Sequence, residues 1–344
     1  MFRINWGIIG LGNIANKFAE SCLNLDNAVI KGIASGSENN LESFKKKFNI
    51  EDKFCFNNYD DLILCPEIDI IYIALPNSLH ALYINKSLKN NKNVLVEKPA
   101  FTNSGELKVI KDLCSSKKIY FTEGFMYRYL PYFQKLKEII HNEILGKVVS
   151  MESTFNIKVY KQKKIFGLRF KKPDFSNRLF NKELGGGAIL DIGCYPLSIS
   201  TFVNSLTYKV NIEDIKLEKL NTLYCESGVD IFSQASLNFD NKFFSKINCS
   251  FKDNLDQCTK INFENGSLTI DETWIPNQKM SISLKNQNEI SKIDFSNDMN
   301  IYAYQIKAIS GQLLDKKTNP TFPSITMEEI EINTKIIEDW INSK

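Results

Sequence analysis

The chain has 344 residues, more than one ordinary hydrophobic core holds, so its length predicts two domains. Charged residues make up 24% of the sequence and apolar residues 43%, a balance typical of water-soluble proteins. The net charge of +3 is too small to favour a nucleic-acid partner, and no apolar run approaches the roughly 18 residues that a membrane span needs.

The cysteines and histidines argue against a disulfide scaffold and a zinc site. Eight cysteines are scattered without a C-x-x-C pair, mostly in apolar segments, which favours reduced core residues and a cytoplasmic location. Two histidines, His80 and His141, are too few to suggest zinc. The N-terminus enters a predicted strand at once, so we expect no signal peptide.

A glycine-rich turn follows the first predicted strand, residues 4–9. Residues 10–15 read Gly-Leu-Gly-Asn-Ile-Ala and precede a predicted helix, the setting that a dinucleotide-binding fingerprint requires. Gly10 permits the tight turn, Gly12 lets the backbone approach a pyrophosphate, and Ala15 lets the helix pack on the strand. The helix N-terminus offers free N–H groups to the phosphates. We therefore expect a bound dinucleotide; a tight turn without a ligand is the alternative.

The second predicted strand, residues 28–34, ends in Ser35, Gly36 and Ser37. An NAD-preferring site usually places Asp or Glu here, on the ribose hydroxyls. Two hydroxyls and free backbone N–H groups suit the 2′-phosphate of NADP instead, although the arginine that often binds this phosphate is missing. NADP is the preferred prediction and NAD the alternative.

Two later predicted strands also end in polar residues. Residues 69–74 run into a Pro-Asn-Ser loop that places His80 in the first turn of a helix, where it lines a site or is a satisfied core histidine. Residues 93–96 are followed by Glu97-Lys98-Pro99. Ligands bind at the carboxyl ends of strands in open α/β sheets. Lys98 could therefore lie beside a cofactor and hold a substrate oxygen; a surface charge pair before a turn is the alternative.

Strands alternate with helices over residues 1–124, which predicts an N-terminal doubly wound parallel sheet, a Rossmann domain. After residue 125 the pattern changes, and strands dominate from about residue 209 to 295. This indicates an α+β domain, residues 125–344, with a large, mostly antiparallel sheet. The last helix could pack back on the N-terminal domain. Residues 160–183 are predicted to be irregular, and their basic part, 161–172, forms either a lid that grips an anionic substrate or a solvated loop.

Three consecutive glycines, residues 185–187, stand out because the whole chain has only 16. They mark a place where the backbone lies close to something. A helix is predicted from Ala188, and on it Asp191 and Tyr195 share one face because they are four residues apart. An acid and a phenol at this position suit hydroxyl recognition and proton transfer; a helix start with a buried tyrosine is the alternative.

These motifs together resemble the Gfo/Idh/MocA oxidoreductases over essentially the full length. The resemblance lies in residues 10–15, 97–99, 123–128 (Glu-Gly-Phe-Met-Tyr-Arg), 178–180 (Arg-Leu-Phe) and 185–195. Inositol-dehydrogenase-like members usually have histidine at the position of Tyr195. A tyrosine there resembles the branch of glucose–fructose oxidoreductase, dimeric dihydrodiol dehydrogenase and NADP-dependent xylose 1-dehydrogenase. Gly36 is a departure, because NADP-using relatives often carry arginine there.

The resemblance implies roles for particular residues. Lys98 would hold the reacting oxygen, Tyr195 would take the proton, and Asp191 would bind a neighbouring substrate hydroxyl. The cofactor would contact residues of the turns and strand ends: Gly10, Gly12, Asn13, Ile14, Ala15, Ser35, Gly36, Ser37, Leu75, Pro76, Asn77, His80, Glu97, Lys98 and Arg128. Relatives often have a cis peptide before the position of Pro99.

The implied activity is hydride transfer between NAD(P) and a carbohydrate-like substrate such as an aldose, a sugar derivative or a dihydrodiol, without a metal. Homodimers or homotetramers packed through the C-terminal sheet are implied as well. Two alternatives stay open: a regulator that binds the dinucleotide without chemistry, and an NAD-dependent glycosidase.

Overall fold

The structure is a computed structural model that describes residues 2–160, 163–165, 169–171, 174–175, 177–252, 255–286 and 289–343. The chain divides into two compact units. The first contains Met1–Leu130 and Asp298–Glu331, and the second contains Pro131–Asn297 and Ile332–Lys344. The first unit thus ends at residue 130 rather than the predicted 124, and it also includes a later segment that local sequence patterns do not reveal.

The first unit is built on a parallel sheet. Its strands are β1 Ile4–Ile9, β2 Ala28–Ala34, β3 Cys55–Phe56, β4 Ile70–Ile73, β5 Asn93–Val96 and β6 Phe121–Glu123. They lie side by side in the order β3-β2-β1-β4-β5-β6, and every pair is parallel. The strand order reverses between β1 and β4, which is where sheets of this kind bind ligands. The predicted doubly wound parallel sheet is confirmed.

The second unit contains the larger sheet. Its strands are β7 Val148–Asn156, β8 Lys163–Ile165, β9 Arg169–Lys171, β10 Ile215–Tyr224, β11 Asp230–Phe239, β12 Phe243–Ser250, β13 Cys258–Phe263, β14 Gly266–Asp271, β15 Lys279–Asn286 and β16 Ile290–Ser296. Eight of them form one sheet in the order β10-β11-β12-β7-β13-β14-β15-β16. Only the β7–β12 pair of this sheet is parallel, so the predicted mostly antiparallel sheet is confirmed.

The α-helices, in chain order, are α1 Asn13–Cys22, α2 Glu38–Phe48, α3 Tyr59–Leu64, α4 His80–Lys89, α5 Ser104–Lys117, α6 Pro131–His141, α7 Cys194–Leu206, α8 Ile301–Leu314 and α9 Met327–Asn342. Within the first unit, α8 packs beside α1. Within the second, α7 packs on β7 and β12. Along β11, buried residues alternate with partly exposed ones, the pattern of a sheet with one covered face.

One local prediction needs correction, and another is confirmed with a difference in detail. The chain expected to be irregular after residue 160 contains the short antiparallel pair β8–β9; three-residue strands are too short for an alternating pattern to show in the sequence. The side chains of the whole basic segment 161–172 lie outside what the structure describes, so its role as a lid or a solvated loop stays a prediction. The helix expected from Ala188 begins with a π-helical turn, Ile189–Gly193, and only then continues as α7.

One helical run, Lys182–Leu206, is long and apolar enough by composition to span a membrane, although the sequence predicts no membrane span. Its apolar window is 94% buried inside the protein. The core helix of a globular domain has the same composition, because it packs against other elements on every side.

Candidate active site

The turn after β1 leaves room for a phosphate. Gly10 has φ +87°, and a Cβ there would lie 2.6 Å from the Ala74 carbonyl oxygen, so only glycine fits. Gly12 is the N-cap of α1, no side chain caps this helix start, and a Cβ on Gly12 would meet nothing within 4 Å. Ala15 is fully buried. Free helix N–H groups beside open space fit the pyrophosphate of a dinucleotide.

Around the predicted adenosine end, the two serines organise the backbone. The Ser35 hydroxyl accepts a hydrogen bond from the Ser37 amide at 3.1 Å, and the Ser37 hydroxyl caps α2 by accepting from the Asn40 amide at 3.4 Å. Gly36 between them is exposed, with nothing within 4 Å of a Cβ position. The exposed Gly36 backbone therefore offers space for a 2′-phosphate, while the buried Ser35 shapes the turn.

The loop after β5, residues 97–100, is held by its neighbours; we call it the Lys98 loop. The Glu97 amide donates to the Ile73 carbonyl at 3.0 Å, and Glu97 Oε1 accepts from the Tyr72 hydroxyl at 2.5 Å. The Ala100 amide donates to Glu123 Oε1 at 2.7 Å. The Lys98–Pro99 peptide is cis, as the resemblance implied. The backbone on both sides of Lys98 is therefore fixed.

His80 joins this loop to the loop after β4. Its ring is fully buried; Nδ1 lies 2.9 Å from the Pro99 carbonyl oxygen and Nε2 lies 2.9 Å from that of Leu75. A neutral imidazole has one N–H and can donate to one of these carbonyls, whereas a protonated ring donates to both. The ring thus positions two loops predicted to line the cofactor; a direct cofactor contact of His80 stays a prediction.

Other predicted cofactor residues divide by exposure. Asn13 is exposed, Ile14, Leu75 and Pro76 are partly exposed, and Asn77 is buried. Arg128, by contrast, is 2% exposed and its Nη1 forms a 2.7 Å ion pair with Glu329 within the first unit. This pairing gives Arg128 a structural role, and its contact with a cofactor stays a prediction.

In the second unit, the three glycines are required by the chain itself. A Cβ on Gly186 would lie 2.5 Å from the Arg178 carbonyl oxygen. Gly187 has φ +124°, and its Cβ would lie 2.3 Å from Asp230 Oδ1. Asp230 Oδ2 accepts from the Ile189 amide at 2.7 Å, so this carboxylate anchors the start of the π-helical turn. Burial raises the pKa of Asp230 to about 6, against the lowering effect of the backbone N–H groups that bind the carboxylate, chiefly that of Ile189.

Asp191 and Tyr195 extend from this anchored helix start. Asp191 is 8% exposed, and its Oδ1 lies 3.2 Å from Nη2 of the half-exposed Arg178. Tyr195 is 4% exposed, and its ring makes edge contacts with Phe155 and Trp274 at centroid distances of 5.0 and 5.7 Å. An aromatic wall thus fixes the phenol, while an arginine fixes the carboxylate.

The sequence indicates no individual role for three of the residues described above: Glu123 in the first unit, and Arg178 and Asp230 in the second. Arg178 and Glu123 stand in motifs that carry the family resemblance, so the sequence held a signal for their importance. Asp230 stands in no such motif, and it lies on β11, some 40 residues from the turn that it anchors. Among the residues that the structure describes, no three His, Cys, Asp or Glu side chains come together as a metal site requires.

The parallel sheet with its open glycine turn defines a dinucleotide-binding protein. Two family models match the chain: "Oxidoreductase family, NAD-binding Rossmann fold" over residues 4–125, and "GFO/IDH/MocA C-terminal domain" over residues 133–269. The chain belongs to the GFO/IDH/MocA oxidoreductase family.

Curated relatives agree with this family. A trans-1,2-dihydrobenzene-1,2-diol dehydrogenase of Xenopus tropicalis is 28% identical over 58% of this chain and 56% of its own length. A D-xylose 1-dehydrogenase (NADP(+)) of Hypocrea jecorina is 28% identical over 62% and 56%. The chain therefore matches little more than half the length of these relatives.

Solved structures share the whole fold. A 3-ketoreductase from Actinomadura kijaniata, in complex with TDP-benzene and NADP, superposes with TM-score 0.81 at 18% identity, covering 98% of this chain and 96% of that one. An aldose-aldose oxidoreductase from Caulobacter crescentus, complexed with glycerol, gives TM-score 0.82 at 17% identity, covering 99% and 97%. At these identities the likeness establishes the fold.

Proposed function

We propose that the protein is an NAD(P)-dependent oxidoreductase that transfers a hydride between nicotinamide and a carbohydrate or related polyhydroxy substrate. The observation that carries the proposal is the fixed Lys98 loop at the carboxyl edge of the parallel sheet. An ammonium carried by this fixed backbone can stabilise an oxygen on which negative charge develops. The relatives named above for a dihydrodiol and for xylose support a polyhydroxy substrate.

Three side chains take the chemical roles. The bound nicotinamide supplies the hydride acceptor. In the oxidative direction Lys98 holds the oxygen of the reacting hydroxyl group. Tyr195 accepts the hydroxyl proton as a hydride leaves the carbon that bears this group. Asp191, steered by Arg178, accepts a hydrogen bond from a neighbouring hydroxyl of the substrate. A tyrosine that accepts a proton must first be a phenolate, a form that a positive charge close to the phenol would favour.

NADP is the proposed cofactor, with NAD as the alternative. The open turn at Gly12 would hold the pyrophosphate, and the exposed backbone at Gly36 would face the 2′-phosphate. Of the relatives, the xylose dehydrogenase is named for NADP(+). Equilibrium binding of NADP⁺ and NAD⁺ to the purified protein decides between them. Each ~1.4 kcal/mol of phosphate contact that NAD⁺ cannot make lowers its affinity tenfold.

A homodimer or homotetramer through the open face of the large sheet is proposed as well, in the cytoplasm and without nucleic-acid or membrane partners. This face carries polar residues of β7, β11 and β12 that are at least partly exposed. Between them lies the aromatic ring of Phe244, a residue that is 44% exposed. Glu152 and Lys246 pair on it at 3.6 Å. Light scattering on the wild type and on Phe244→Glu measures the mass; a monomer in the wild type would contradict the proposal.

The activity is tested by the absorbance of reduced nicotinamide. The purified full chain is offered NADP⁺ or NAD⁺ with aldoses, inositols, sugar phosphates and dihydrodiols, and Lys98→Met and Tyr195→Phe are compared with wild type. Exposed residues provide matched controls: Lys108→Met on α5 and Tyr224→Phe on β10. We expect turnover that both site variants lose and both controls keep.

Two outcomes would contradict the proposal. Cofactor binding without reduction of any substrate would favour a regulator. Hydrolysis of a glycoside with no net change in nicotinamide absorbance would favour a glycosidase. If Tyr195→Phe weakened cofactor binding as much as turnover, its role in proton transfer would be wrong.

A further inference from the structure

A buried carboxyl group lies directly beside the Lys98 loop. Glu123 is the last residue of β6, and in the sheet it pairs with Val96, the last residue of β5. Its side chain reaches past the strand end, where Oε1 accepts the Ala100 amide at 2.7 Å. The side chain is 3% exposed. Glu123 is therefore fixed to the backbone two residues after Lys98.

The second oxygen of this carboxyl group has a different environment. Glu123 Oε2 is buried and has no hydrogen-bond partner among the residues that the structure describes. The charged groups that act on it are Lys98 and Glu97 from the loop and Glu329 from α9, which is itself paired with Arg128. A buried, unpartnered oxygen is costly for a structural residue, which suggests that it serves a function.

Electrostatics keeps a proton available at this position. Burial, and more weakly the carboxylates of Glu329 and Glu97, raise the pKa of Glu123 to about 8 against the lowering effect of the Ala100 amide and Lys98. Near neutral pH the group therefore binds a proton that a modest change in the local charge can release.

We propose that Glu123 is a positioning residue for Lys98: one oxygen fixes the loop, and the other gains or loses a proton, so that the charge beside Lys98 follows the redox state of the bound cofactor. The inference rests on the proposed function, which places the nicotinamide beside this loop. An oxidised nicotinamide ring is positive and a reduced one is neutral. The positive ring favours the ionised carboxylate, so binding of NADP⁺ releases a proton that binding of NADPH does not.

The test is a proton count by isothermal titration calorimetry. NADP⁺ and NADPH are titrated into the full chain at pH 7 in two buffers with different ionisation enthalpies, which gives protons released per cofactor bound. The two cofactors share all their phosphates, so those groups cancel in the difference. We expect the wild type to release about half to one proton more with NADP⁺ than with NADPH.

Glu123→Gln keeps an oxygen for the Ala100 amide but cannot titrate, so the difference should disappear. Glu213→Gln, at an exposed glutamate of the second unit, is the matched control and should behave as wild type. A second measurement needs no variant: in the wild type the difference should disappear at about pH 10, where the carboxyl group is already ionised. An unchanged difference in Glu123→Gln, or one that persists at pH 10, would overturn the inference.

Activity separates this inference from the proposed function. In Glu123→Gln the pH profile of kcat/KM should lose the limb near pH 8, whereas a purely structural role would lower activity equally at every pH. If Lys98→Met retained full turnover, the proposed function would fail. If Lys98→Met were inactive while Glu123→Gln kept the wild-type proton count and pH profile, only the role of Glu123 would fail.

Discussion

Replacing Gly12 with valine fills the open space at the start of α1 without disturbing the chain. Gly12 has φ −79° and ψ −169°, which any residue adopts, and nothing lies within 4 Å of its Cβ position. Any binding loss must therefore come from the ligand that the space accommodates. We expect affinity for NADP to fall by at least tenfold to a hundredfold, or about 1.4–2.8 kcal/mol.

The stability of the variant should change little. Losing glycine from the N-cap costs about 1 kcal/mol, which lowers Tm by roughly 2–4 °C. Gly10→Ala should behave in the opposite way, because φ +87° and a Cβ 2.6 Å from the Ala74 oxygen penalise the fold itself. We expect a cost of at least about 3 kcal/mol, or roughly 6–12 °C in Tm.

Gly311→Ala completes the comparison. This glycine lies inside α8 with nothing within 4 Å of its Cβ position, so alanine should add about 0.5–1 kcal/mol of stability and leave binding unchanged. Fluorescence titration with NADP measures affinity, and thermal unfolding without cofactor measures Tm. Wild-type affinity in Gly12→Val would refute the placement of the pyrophosphate, and wild-type stability in Gly10→Ala would refute the turn geometry.

Three further changes test the elements around the site. Asp230→Ala leaves the buried Ile189 amide without its acceptor and should cost about 2–3 kcal/mol in urea unfolding, unlike Asp240→Ala on the surface. His80→Leu removes the ring that lies within hydrogen-bond distance of two loop carbonyls and should cost about 2 kcal/mol, read as a lower Tm. Because Glu123 is protonated more readily in the folded than in the unfolded state, its contribution to stability is lost between about pH 4.5 and pH 8, by roughly 3–5 kcal/mol. Glu123→Gln should flatten this slope in thermal melts; an unchanged slope would contradict the assignment.

The parallel sheet could be predicted from sequence because its signals are local. Buried parallel strands read as short apolar runs, and the turn after β1 must contain glycine for backbone reasons alone. The cis peptide at Lys98–Pro99 and the position of Lys98 after β5 followed from the resemblance and from the strand end. The mostly antiparallel sheet of the second unit followed from the run of predicted strands.

The remaining features depend on contacts between distant parts of the sequence. Arg128 pairs with Glu329, 201 residues later in the chain, and this pairing belongs to the segment that returns to the first unit. In the π-helical turn Ile189–Gly193 the backbone hydrogen bonds span one residue more than in an α-helix, and composition does not distinguish the two. Such features become visible only once the chain is folded.

Glycines show most clearly what the sequence leaves open. A run of glycine predicts that something approaches the backbone closely, and it does not say what. At Gly12 the structure leaves the space open beside free helix N–H groups, so a ligand can fill it. At Gly187 the space is already filled by the Asp230 carboxylate at 2.3 Å. The same sequence signal thus marks an open surface in one unit and an internal anchor in the other, and only the first leaves room for a cofactor.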